Sequence, residues 1–341
     1  MGHRFIFTLA FFSLTIVGLH AQAVAPNSVV SQSAQPKQSF KEDVSSPTFK
    51  EDWTTISLSQ SGLPIKSSAG LLVTKGELPG GCTRELLRME WRPADPIDLY
   101  VIRPTGVNRP PVGLFLLNYT FDSAVFRDDY WCAQAKQNGL AIVGFGSALS
   151  WQRFHTPRPM NKWFVSELQE ALSTSTHDVQ MVLNYLESRN DLDMKHVGMY
   201  GQGSGGAITI LAAAADPRIT VIDVTDPWGD WPDWLRGSKQ IPEEERDIYL
   251  KPEFLQKVSN LDPVNSLPGL KLKALRIQQV TADSVTPAEA KSKIASAAPT
   301  PDDVVRYAEQ ADQHKAVSTG GITEWLGMQL HAGDTMASKI H

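Results

Sequence analysis

A chain of 341 residues, 42% of them hydrophobic, can bury a large core, and one domain of about 270 residues with extensions is the natural expectation. Its 32 basic and 37 acidic residues leave a formal net charge of −5. That balance gives no electrostatic argument for nucleic acid or an anionic membrane.

Arg4 precedes an apolar run from Phe5 to Leu19, followed by Ala21-Gln22-Ala23. A positive n-region, a short h-region and a small-x-small site make a secretory signal peptide cut after Ala23. The run is too short for a comfortable membrane span, and no later stretch is long and apolar enough to cross a bilayer. The mature protein is therefore expected to be soluble and secreted or periplasmic. Under the oxidising conditions met on export, Cys82 and Cys132 either form one bridge or stay as buried thiols. Two isolated cysteines and no spaced His pair make no metal-ligand pattern, and no cofactor is expected.

Residues 24–52 are rich in Ser, Gln, Pro and Ala without periodicity and read as a disordered leader. Within them Phe40-Lys41-Glu42-Asp43 recurs as Phe49-Lys50-Glu51-Asp52, a repeat short enough to arise by chance. The ordered domain is expected over 53–335. Strands are predicted at Arg84–Trp91 and Ile97–Arg103, joined by the turn residues Pro93-Ala94-Asp95-Pro96. Val112–Leu117 and Leu140–Phe145 are continuous apolar runs, as in strands buried on both faces, with a helix over 128–138 between them that Gly139 stops. Ser173-Thr174-Ser175-Thr176 offers N-caps for a helix whose Val179, Val182, Tyr185 and Leu186 share a face. Ile219–Val224, Leu275–Val280 and Val304–Ala308 complete the strands. Strands alternating with helices imply a parallel sheet covered on both sides. The insertion over 227–270 is longer than an ordinary connection and reads as a small cap. Its Trp228, Trp231 and Trp234 either line a site that stacks on a sugar or pack the cap onto the body; packing is the expectation, because aromatic clusters more often pack.

The most informative stretch runs from Lys195 to Ala215. An apolar run, Val197–Tyr200, meets glycines and a serine, and an alanine-rich helix follows. Strand, tight turn and helix are the context of a nucleophile elbow. The nucleophile there has a strained backbone, and the residues two before and two after it must be almost bare. Two alignments are open. With Gly201 and Gly205 as flanks, the nucleophile position is Gly203, which has no side chain to attack anything. With Ser204 as nucleophile, the flanks become Gln202 and Gly206. A strand running straight into Gly201 favours the first.

From about Arg84 to His331 the order of elements is similar to the α/β-hydrolase family, closest in look to its secreted esterase, dienelactone-hydrolase and prolyl-oligopeptidase-like branches. Carrying the resemblance are Ile97-Asp98-Leu99-Tyr100 leading to Arg103-Pro104, Leu186-Glu187-Ser188-Arg189 leading through Asp191 and Asp193 to Val197-Gly198, the elbow, and Ala215-Asp216-Pro217-Arg218. Residues 1 to about 75 lie outside it. The resemblance implies an α/β fold with a mostly parallel central sheet, helices on both faces and a small cap insertion. It also implies a serine-type hydrolase of ester or peptide bonds, with a small molecule or a peptide as its substrate. Ser204 would be the nucleophile, Asp283 the orienting acid in the loop Thr281–Pro287, and His314 the base after the last strand, in the family's chain order. Asp223 or Asp226 could serve as the acid instead. The oxyanion donors would be a backbone N–H of Tyr119 or Thr120 and the N–H after the nucleophile. Gly203 at the elbow implies the alternative, a relative that keeps the pocket without the chemistry.

Overall fold

The computed structural model describes residues 50–64, 70–93, 95–150, 153, 165–318 and 321–332, all in one compact unit, Thr48–His341. The expected signal peptide and nearly all of the expected leader lie outside the described residues.

Among the described residues nine strands form one sheet: β1 (Leu71–Leu78), β2 (Cys82–Met89), β3 (Ile97–Pro104), β4 (Pro111–Leu116), β5 (Ala141–Gly144), β6 (Asp193–Gln202), β7 (Ile219–Thr225), β8 (Ala274–Val280) and β9 (Val304–Tyr307). Their spatial order is β1-β2-β3-β5-β4-β6-β7-β8-β9. The first three are antiparallel, and β5 through β9 run parallel. Burial on both faces explains why β4 and β5 read as unbroken apolar runs: every residue of each is buried. β1 has no such signal. Seven of its eight residues are exposed at the sheet edge, so nothing in its pattern separates it from a loop, and it was not expected.

The longer helices are α1 (Tyr130–Asn138), α2 (Leu168–Glu187) and α3 (Ser204–Ala215), followed in the insertion by α4 (Trp231–Gly237), α5 (Arg246–Tyr249), α6 (Pro252–Val258) and α7 (Pro263–Ser266). Then come α8 (Ala288–Ala297), α9 (Gln310–Val317) and α10 (Gly321–His331). α1 and α10 cover one face of the sheet, around Phe115, Tyr200, Leu326 and Leu330, while α2, α3 and the insertion cover the other. No described helix is long and apolar enough to cross a membrane.

Several expectations need correction. Ser173–Thr176 do not cap α2 but lie inside it. The Ser175 and Thr176 hydroxyls donate to the carbonyls of Ala171 and Leu172 one turn earlier, at 2.7 and 2.8 Å, which satisfies them within the helix. The leader does not extend to residue 52, because Glu51 is buried against Arg92 and His177. Arg92 also pairs with Asp178, which Arg153 grips from the other side while pairing with Asp95. Burial pushes the Asp178 carboxyl up, but the two guanidiniums outweigh it and hold it at about 2. Cys82 and Cys132, left open by the sequence, are bridged, tying β2 to α1. The three tryptophans of the insertion are at most 1% exposed and stack on one another, with Trp228 and Trp234 centroids 4.6 Å apart; they pack and present no platform.

Candidate functional site

The parallel pairing of β4, β6, β7 and β8 puts all their carboxyl ends on one edge, and the turn after β6 stands at its centre. Steric facts decide the register of that turn. A Cβ built on Gly201 would stand 2.3 Å from the Gly205 carbonyl oxygen, and one built on Gly205 would stand 2.0 Å from that of Leu116. Neither backbone can give, so 201 and 205 are the two bare flanks. The residue between them, Gly203, has φ 56° and ψ −114°, the strained left-handed geometry that the elbow imposes on its apex. The first of the two alignments therefore holds, and the apex carries no side chain.

The space a side chain would fill is occupied. A Cβ at Gly203 would meet Asn118 Oδ1 at 2.9 Å and Trp228 Nε1 at 3.4 Å. Asn118, just beyond β4, turns its amide oxygen into the cradle formed by the backbone. That oxygen accepts from the Tyr119 N–H at 3.0 Å, the Ser204 N–H at 3.4 Å and the Ser204 hydroxyl at 3.1 Å. These two N–H groups are the pair that would hold an oxyanion over an elbow nucleophile, so the side chain of Asn118 lies where a substrate carbonyl would.

The predicted site residues are placed as follows. Ser204 is the first residue of α3 and fully buried; its Oγ also accepts from the Tyr119 N–H at 2.9 Å. Tyr119 stands beside the elbow, its ring against Trp228 and its hydroxyl donating to Gln240 at 2.9 Å, while Thr120 is exposed. Asp283 follows β8, but its carboxylate accepts from the N–H groups of Val285 and Thr286 in its own loop, with Lys291 Nζ at 3.6 Å. His314 lies on the exposed side of α9, at a cavity it shares with Gln202 and Tyr130. Among the described residues no hydrogen bond joins Ser204, Asp283 and His314.

The alternative acids are also committed. Asp223 is inside β7, bonded to Arg276 at 2.6 Å and Gln278 at 2.9 Å. Asp226 accepts from the Val280 N–H at 2.8 Å. Burial, with the nearby charge of Asp283, pushes its carboxyl up to about 7.

No family model matches the sequence, and no curated protein matches it. Solved structures do. An acetyl xylan esterase 1 from Thermoanaerobacterium sp. JW/SL YS485 superposes with a TM-score of 0.57 at 15% identity, covering 74% of this chain and 87% of that one. An acetyl xylan esterase from Paenibacillus sp. R4 gives 0.56 at 16%, over 76% and 88%. An S-formylglutathione hydrolase from Agrobacterium tumefaciens gives 0.57 at 12%, over 76% and 99%.

The fold is that of the α/β-hydrolases.

Within that fold the turn after β6 and the loop after β8 both stand at the carboxyl edge of the parallel strands. Asn118 has no role in the sequence analysis, because nothing in the order of residues reveals that its amide oxygen turns inward.

Proposed function

We propose that this protein is an exported member of the α/β-hydrolase class that binds an ester- or amide-like ligand, small molecule or peptide, without serine-dependent turnover. The observation that carries the reading is the side-chain amide of Asn118 seated on both N–H donors beside an apex that is Gly203. A hydroxyl attacks only when a base takes its proton, and the Ser204 hydroxyl is instead spent on Asn118 and the Tyr119 N–H. Export after cleavage behind Ala23 belongs to the same reading. The Cys82–Cys132 bridge supports it, since such bridges persist in oxidising compartments, and the mass of the mature N-terminus tests it.

A fluorophosphonate probe and a panel of p-nitrophenyl esters and aminoacyl substrates test the chemistry. The expected result is no labelling and no turnover above background. A second reading, a serine hydrolase of ester or peptide bonds, draws on the structural likeness to esterases. It requires Asn118 to swing away and His314 to approach Ser204. Turnover lost in both Ser204→Ala and His314→Ala would establish it and overturn the first.

A further inference from the structure

We propose that the cavity beside the elbow binds a single neutral sugar ring, an inference that rests on the reading of this edge as a ligand site without serine chemistry. The cavity, of about 240 Å³, opens by the carboxyl ends of β4 and β6, where open parallel sheets hold their ligands. It falls below the roughly 300–1,000 Å³ of drug-sized pockets, which suits one ring.

Its walls are aromatic, and its lining polar groups are amides, hydroxyls and one imidazole. Phe115 packs on Trp131 and Tyr200, with centroids 5.2 and 5.8 Å apart, and these three rings form the inner wall. Phe121 and Tyr130, also lining the cavity, are 45% and 43% exposed. Large rings left half in water offer flat faces to the C–H groups of a sugar. Helix α9 lines the cavity with Gln310, Gln313, His314 and Val317, the i, i+3, i+4, i+7 face that a packed helix ordinarily makes apolar. Gln202 adds an amide from the elbow.

Ligand chemistry follows from what these groups can satisfy. No Lys, Arg, Asp or Glu is among the described lining residues, so a charged ligand would be desolvated without a counter-charge. A wholly apolar ligand would cover Gln202 and His314, which have no side-chain hydrogen bond among the described residues, and leave their polar groups unsatisfied. Hydroxyls both donate and accept, as amides do and as a neutral imidazole does through its two nitrogens. A ring with apolar faces and a hydroxylated rim meets both requirements.

The test is titration of the intact protein with methyl glycosides of neutral pyranoses, followed by saturation-transfer NMR and tryptophan fluorescence. Benzyl alcohol serves as the apolar probe and glucuronate as the charged one. The expected result is saturable binding of the glycosides alone, weakened at least tenfold by Tyr130→Ala and by Gln202→Ala and unchanged by Lys195→Ala at the far end of β6. Absence of glycoside binding by the unaltered protein overturns the proposal, as does binding indifferent to both substitutions or a preference for benzyl alcohol or glucuronate. Serine-dependent ester turnover with glycoside binding intact would refute only the non-catalytic reading; no turnover and no glycoside binding would refute only this site.

Discussion

Gly203→Ser is the change that would restore a hydroxyl to the apex, and its cost follows from the contacts there. The first component is backbone strain: φ 56° with ψ −114° suits glycine and costs another residue on the order of 1–3 kcal/mol. The second is the new Cβ, 2.9 Å from Asn118 Oδ1, which forces that amide out of its cradle and breaks the bonds it accepts. Leaving buried donors without it costs about 1–3 kcal/mol more. Asn118→Ala alone incurs that second cost and not the first. In the double variant the amide is lost once, not twice, so the two effects should fall short of additivity by about 1–3 kcal/mol. Urea unfolding of the four proteins measures this. Strict additivity within about 0.5 kcal/mol, or a Gly203→Ser protein as stable as the parent, would refute the claim that Asn118 fills the nucleophile's place.

Other consequences can be checked on the same footing. The Cys82–Cys132 bridge spans 50 residues, and loop-closure entropy alone makes its loss cost about 4 kcal/mol, so the Cys82→Ala/Cys132→Ala protein should show a much lower urea midpoint. Both cysteines are buried, so reductant should act on the folded protein only at the rate of opening, seen as slow thiol release to an aromatic disulfide reagent. Burial raises the folded-state carboxyl of Asp226 to about 7, above its unfolded value, so the group favours folding at acid pH and that contribution is lost as pH rises through about 7. Asp226→Asn, neutral throughout, should be more stable than the parent at pH 8, by up to about 4 kcal/mol, and nearly equal to it at pH 4; equal stability at both would contradict this. Asp178→Asn leaves Arg92 and Arg153 buried without their shared carboxylate and should cost about 3–5 kcal/mol, read as a drop in melting temperature.

The sheet was legible because its strands obey period and burial. β4 and β5 are apolar runs, and the turn after β6 announces itself by glycines whose bareness is a steric need at 201 and 205. β1 was illegible for the opposite reason: an exposed edge strand owes its pairing to β2 and carries no pattern of its own. The start of α2 was missed because serine and threonine are common caps, whereas here their hydroxyls bond the helix's own carbonyls one turn back. At the site, spacing located Asp283 in its loop after β8, yet the same loop supplies the N–H groups that occupy its carboxylate. Chain order alone could not tell a histidine on an exposed helix turn from one poised over a nucleophile, nor show which way Asn118 points.

The segment ahead of the sheet is stitched to α2 by a polar stripe. Ser173 and His177 both bond the Thr55 carbonyl, Gln180 holds Ile56 and Leu58, and His177 also grips Glu51. These side chains recur every three or four residues along a helix face that would otherwise stand wet. A protease trimming the chain ahead of Lys50 severs none of these ties. One that removes the chain through Leu58 strips the cover from all three at once, so the stretch 51–58 behaves as part of the body and sets how far the front of the protein can be shortened before its helix loses its partner.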